Sequence, residues 1–242
     1  MKFRHALRKI LWKLGYDILP FRPDTSPLAR RKQLIEQYGI DLVLDVGANK
    51  GQYARELRDD LDFRGEIVSF EPVQEAFRAL ESSAGADPLW TAVNWALGDV
   101  DGAQEINVSA NSYSSSILNM LPAHLKSAPT SNYVRSEIIE TRKLDSVFSS
   151  FCAPGRKIYL KMDVQGFEAR VIKGAEECLR HIDTIQLEMP LTPMYEDELS
   201  FGALHEILLD KGYQLVSLEP GFADKTTGQL LQVDGIYRRE PQ

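Results

Sequence analysis

The stretch "LVLDVGANKGQY", residues 42–53, decides the fold. Leu42 to Val46 are apolar except for Asp45, the pattern of a buried strand that ends in a carboxylate where the chain leaves a sheet. Gly47 and Gly51 follow, in a turn that admits positive φ and close approach of the backbone to a ligand. A helix beginning near Gly51 offers free N–H groups to an anion. Twenty residues on, a second strand, "IVSF", ends at Glu71, a carboxylate placed to accept both ribose hydroxyls of an adenosine.

Outward from this turn, strand and helix patterns alternate. Strands are expected near 42–46, 66–70, 91–97, 157–163, 183–189, 213–218 and 230–238, and helices near 51–60, 73–83, 167–181 and 200–211. Such alternation implies an open α/β sheet, parallel and covered on both faces. Only the turn-rich "EPGFADKTTGQ" separates the last two strands, so these should pair antiparallel. Residues 99–144 interrupt the pattern with a predicted hairpin over 98–109, turning near Asp101–Gly102, and a Ser-rich segment long enough to be a lid or binding loop.

The chain's 242 residues suit one large domain, and no run is apolar enough for a membrane span or a signal peptide. Cys152 and Cys178 make no disulfide framework and match no zinc spacing, which fits a reduced, cytoplasmic setting. Charge is unevenly spread. Residues 1–39 carry nine Lys and Arg against three acids, +6, so with −7 in total the remainder carries −13. An acidic body argues against nucleic acid as substrate. The leader places Phe3, Leu7, Ile10, Leu11 and Leu14 at helical spacing among basic residues, before Gly15, Pro20 and Pro23. A second short helix is expected from Pro27 to Tyr38. The leader reads either as a helix lying on the inner membrane surface or as one packed over the domain.

The ligand at the turn is either a dinucleotide or S-adenosylmethionine. A dinucleotide asks for G-x-G-x-x-G, but Asn49 and Gln52 stand where its second and third glycines belong. Asp45 suits a positively charged ligand better than a pyrophosphate. S-adenosylmethionine carries an ammonium, a sulfonium and a lone carboxylate, and is the better match.

Several blocks now make the chain resemble the FkbM family of S-adenosylmethionine-dependent methyltransferases: "LDVGANKGQY" (44–53), "SFEP" (69–72), "NWALGD" (94–99), "KMDVQGFE" (161–168), "VIKGA" (171–175) and "IQLEMP" (185–190). They fall in the family's order over roughly residues 40–240. The resemblance implies a class I methyltransferase fold, a Rossmann-like sheet of seven strands with the last antiparallel, as a domain over 40–242 behind the 1–39 extension. It implies O-methylation of a hydroxyl on a sugar, glycolipid or macrocyclic natural product. Asp45, Gly47, Asn49 and Gly51 would surround the methionine part of the cofactor, Glu71 would bind its ribose, and Asn94, Trp95 and Ala96 would flank the adenine. One block departs: the family's D-x-E-G-x-E has Gln165 in place of its first Glu here, with Asp163 and Glu168 retained.

A sugar hydroxyl is a poor nucleophile at neutral pH, and a carboxylate or histidine that takes its proton speeds its attack. Asp163 and Glu188, at the exits of the fourth and fifth strands, are the candidates, with Pro190 expected to end the ladder beside Glu188. A weakly held Mg²⁺ between them stays open, although no His–carboxylate spacing marks a tight metal site. Among the histidines, His5 lies in the leader, His181 at the wrong end of the sheet and His205 mid-helix, which leaves His124 in the Ser-rich segment. The expected acceptor is a carbohydrate or glycolipid. Alternatives are a polyketide hydroxyl, a nicotinamide-dependent oxidoreductase, or a non-catalytic binding protein on the same fold.

Overall fold

The computed structural model describes residues 2–239, with side chains from Leu7 onward, in two units, residues 1–39 and 40–242. Of Phe3 and His5 the side chains lie outside the described residues.

In the first unit, α1 spans Lys2–Lys13 and α2 spans Pro27–Gln37. Gly15, at φ +81°, turns the chain after α1. The carboxylate of Asp17 reaches back to Arg8 at 2.6 Å. α2 begins with Pro27 at its first position, and the hydroxyl of Ser26 accepts from the N–H of Ala29.

The second unit holds strands β1 (Leu42–Val46), β2 (Glu66–Phe70), β3 (Trp90–Val93), β4 (Ala96–Leu97), β5 (Gly102–Ser109), β6 (Tyr133–Arg142), β7 (Ile158–Met162), β8 (Thr184–Pro190), β9 (Tyr213–Pro220) and β10 (Gln232–Arg239). Its helices are α3 (Gln52–Asp59), α4 (Gln74–Ala84), α5 (Pro122–Ser127), α6 (Leu144–Phe151), α7 (Glu168–Gly174) and α8 (Phe201–Asp210). Seven strands form one sheet in the order β3-β2-β1-β7-β8-β10-β9. All pairs are parallel except those of β10, which inserts antiparallel between β8 and β9. Every residue of β1 and β7 is buried, as two covered faces require. Strand order reverses between β1 and β7, so their carboxyl ends open a crevice there.

Five sequence expectations change. The expected strand 91–97 breaks at Asn94 into β3 and β4. The expected helix 167–181 ends at Gly174, and a 3₁₀ turn, Cys178–His181, follows. Helix α6 was not anticipated. The hairpin over 98–109 does not form: β5 pairs antiparallel with β6, beyond the Ser-rich segment, and β4 pairs parallel with β6. Asp101–Gly102 looks like a hairpin turn locally, but β4 has only two residues to offer β5, whereas β6 offers ten. Nor does Pro190 end the ladder. It pairs with Gln232, and β7 partners β8 only as far as Leu187, so the missing N–H falls beside an unpaired edge.

Candidate active site

Strand register assembles the floor of the crevice. Asp45, fully buried, has Lys161 of β7 as its partner on one side and Ser69 of β2 on the other. Lys161 Nζ lies 3.1 Å from Asp45 Oδ1, and Ser69 Oγ donates to Oδ2 at 3.2 Å. Burial alone would lower the pKa of this lysine, but the charges of Asp45 and Asp163 outweigh it and hold the ammonium firmly protonated. The charge of Asp45 is therefore met from within the sheet, and its side chain lies behind the cavity wall rather than on it.

The glycines also have a structural cause. Gly47 has φ +76°, and a Cβ there would sit 1.9 Å from the carbonyl oxygen of Asp163. Gly51 has φ +82°, and a Cβ would sit 2.7 Å from the ring of Trp90. The first turn is thus pressed against protein at both positions. Asn49 between them also has positive φ, and its Oδ1 is buried without a partner among the described residues while Nδ2 donates to the carbonyl of Ser112.

Above this floor lies a cavity of about 350 Å³. Glu71 is on its wall, 6% exposed. One carboxylate oxygen accepts from the N–H of Asn49 and the other from that of Val73, both at 2.8 Å. Burial pushes the Glu71 carboxyl up to about 7 against the pull of those two bonds. Trp95 and Ala96 also line the cavity. Asn94 does not; its amide donates to the carbonyls of Glu71 and Pro72, bracing the turn that carries Glu71.

The far side of the cavity holds Asp163, Gln165 and Glu188 together, with Gln232 and Phe222 from the β9–β10 region. Gln165 Nε2 donates to Asp163 Oδ1 at 2.7 Å and to Glu188 Oε2 at 3.0 Å. Gln232 Nε2 donates to the same Glu188 oxygen at 2.8 Å, and the Tyr195 hydroxyl donates to Gln165 Oε1 at 2.7 Å. Burial first, and then the charges of Asp163 and Glu168, raise the Glu188 carboxyl well above the usual range. Glu168 accepts from the N–H of Val164 and closes the loop after β7, off the cavity wall. Among the described residues no group of three His, Cys, Asp or Glu is arranged to hold a metal ion.

The Ser-rich segment is the cavity's roof. Besides the bond from Asn49 to Ser112, Ser116 Oγ donates to the carbonyl of Gln165 at 2.7 Å. His124 lines the cavity too, 4% exposed, edge-on to Tyr195 at 5.2 Å, its Nδ1 without a partner among the described residues. Burial lowers its pKa, so the ring is neutral. His205 bonds the Tyr237 hydroxyl and His181 stacks on Phe148, both away from the cavity.

Sequence reading passed over Lys161, Tyr195, Phe222 and Gln232. A lysine inside the apolar run "IYLKM" is a signal that a buried carboxylate lies in register with it. For the other three, no local pattern marks a side chain that meets the site through a loop or an antiparallel strand.

Fold and crevice together define a class I, S-adenosylmethionine-dependent methyltransferase. The chain belongs to the FkbM methyltransferase family, whose methyltransferase domain matches residues 45–215. It is 26% identical over 207 residues to the 2-O-methyltransferase NoeI of Sinorhizobium fredii, covering 82% of this chain and 84% of that one. Among solved structures, an rRNA methylase from Streptococcus thermophilus aligns with 89% of this chain and 98% of its own at 8% identity and a TM-score of 0.48. A putative RNA methyltransferase from Pyrococcus horikoshii aligns with 88% and 84% at 11% identity and 0.45.

Proposed function

We propose that this enzyme methylates a hydroxyl of a sugar in a glycan, glycolipid or glycosylated natural product. The observation that carries the reading is the lining of the cavity: among the described residues its wall holds the carboxyl groups of Glu71, Asp163 and Glu188 and no Lys or Arg. An RNA acceptor brings phosphates, which call for cations. A neutral polyol calls for amides, hydroxyls and carboxylates, and those line the far side. The Sinorhizobium relative is a 2-O-methyltransferase, which supports oxygen as the accepting atom.

The residues near the turn fit the cofactor. Glu71 would take the ribose hydroxyls, since among the described residues each of its oxygens has one N–H donor and a lone pair to spare. The unpartnered Oδ1 of Asn49 is an acceptor suited to the ammonium of the methionine part, and Trp95 and Ala96 would flank the adenine. When bound, S-adenosylmethionine supplies an already activated methyl group. The chain's remaining task is to bring a hydroxyl in line with it and take the proton.

Asp163 is the base in this reading. Its side chain is 41% exposed, with one oxygen on the Gln165 amide and the other 3.8 Å from Lys161. Glu188, whose carboxyl is raised well above the usual range by burial, would donate to an acceptor oxygen instead of taking a proton. Gln232 and Gln165 hold Glu188 in place, and neutral His124 packs the far wall.

The leader would bring the enzyme to a lipid-linked acceptor. Leu7, Ile10, Trp12 and Leu14 of the basic helical segment are exposed, a pattern matched by an anionic lipid surface. No helix among the described residues is long and apolar enough to cross a membrane.

The test is partition of label. Enzyme given methyl-labelled S-adenosylmethionine with glycolipid and polysaccharide extracts in one vessel, and total RNA in another, should label only the first. Label in RNA alone overturns the reading.

A further inference from the structure

Gln165 has a conformation that side-chain residues seldom adopt, φ +55°, and every polar atom of its side chain is engaged. Its two amide protons go to two different carboxylates, Asp163 at 2.7 Å and Glu188 at 3.0 Å, and its carbonyl oxygen takes the Tyr195 hydroxyl. The hydroxyl of Ser116 fixes its backbone carbonyl from the roof. Rotating the amide by half a turn would set its oxygen against both carboxylates, so the nitrogen stands between them.

We propose that the Gln165 amide occupies a cation's place between Asp163 and Glu188, positioning both carboxylates for the acceptor, so that this enzyme works without a divalent metal. The inference rests on the reading of Asp163 and Glu188 as the acceptor-side pair. Two acids held this close ordinarily need a positive charge or a shared proton. Here the neutral bridge supplies direction, and the charge is reduced in another way. Burial, and after it the charges of Asp163, Glu168, Asp234 and Glu198, raise the Glu188 carboxyl well above the usual range, which favours its protonated form. On the other side of the pair, the Lys161 ammonium lies 3.8 Å from the oxygen of Asp163 that the amide does not use. A divalent ion, which needs oxygen ligands at about 2.1 Å for Mg²⁺, would have to displace the amide, and an amide nitrogen is no ligand for it. Gln165 is therefore a positioning residue, and a carboxylate in its place would turn the bridge into a third oxygen donor.

The experiment is a titration with Mn²⁺, followed by its electron paramagnetic resonance, on wild type, Asp163→Asn, Gln165→Glu and Gln165→Glu with Asp163→Asn. S-adenosylmethionine affinity, measured alongside, shows that each variant is folded. Wild type should bind no Mn²⁺ at this site at millimolar ion. Gln165→Glu should gain one site at least about tenfold tighter than any in wild type, and Asp163→Asn should remove it. A wild-type site lost on Asp163→Asn overturns the proposal, as does a folded Gln165→Glu that gains none. If Gln165→Glu does not fold, wild type decides the matter, because methyl transfer that stops with chelator and returns with Mg²⁺ also overturns it. The metal titration needs no acceptor, so its outcome is independent of whether the acceptor is a sugar.

Discussion

Glu71 shows what a single residue contributes and how that is tested. Its ionised form is disfavoured in the free protein, where burial sets the carboxyl near 7, and on the proposed reading would be favoured once ribose hydroxyls donate to it. Without cofactor this group takes stability away as pH rises from about 4.5 to 7, since the unfolded chain releases the proton first. Cofactor affinity should therefore rise about tenfold from pH 6 to pH 8 and level off above, by calorimetric titration. Glu71→Gln should flatten that profile and weaken binding at pH 8 by about 1.5–3 kcal/mol, roughly ten- to over a hundredfold. A folded Glu71→Gln with wild-type affinity and profile removes the residue from the cofactor site. Residue type and position made the place of Glu71 on the cavity wall legible in the sequence, because it follows directly on the second strand of a parallel sheet. Asp45 reads in the sequence as a carboxylate facing a positively charged ligand, whereas the structure buries it against Lys161. Its partner Lys161 lies 116 positions away and meets it through strand register, which no local pattern encodes.

At the scale of elements, the turn after β1 and the loop after β7 are in contact, and Gly47 is where they touch. Gly47→Ala would force a residue into φ +76° with its Cβ 1.9 Å from a backbone oxygen, so the two elements must separate. The expected cost is about 3 kcal/mol or more. For a domain of this size that lowers the unfolding midpoint by roughly 6–12 °C. Thermal unfolding within roughly 2 °C of wild type would show that the turn yields without strain. The parallel core was legible because buried strands are continuous apolar runs and the helices between them keep their period. The second sheet was not: β5 finds β6 across the Ser-rich segment, and the intervening residues carry turn signals that read as a local hairpin. The roof position of that segment was legible only as an unusual length of Ser-rich chain. What fixes it are single bonds to distant elements, Asn49 to Ser112 and Ser116 to Gln165.

At the scale of the whole molecule, charge is divided by sequence position, +6 in the first 39 residues and −13 in the rest. If the leader meets an anionic surface, the full chain should float with anionic liposomes at low salt, and lose the association as salt rises and the Debye length shrinks to about 8 Å at physiological ionic strength. Failure to float at low salt ends that role for the leader. Chemistry is divided as well, across the sheet. The β1–β3 half supplies Asn49, Glu71 and Trp95, and the β7–β10 half supplies Asp163, Gln165, Glu188 and Gln232. Cofactor hold and proton removal should therefore separate on mutation. The direct test is single-turnover methyl transfer by Asp163→Asn to the glycan fraction that takes the label, with S-adenosylmethionine affinity measured on the same protein. Transfer should fall by about 10²–10⁴-fold while affinity stays within about threefold, the mark of a lost general base. Transfer within about threefold of wild type, in a protein that binds cofactor normally, would contradict Asp163 as the base.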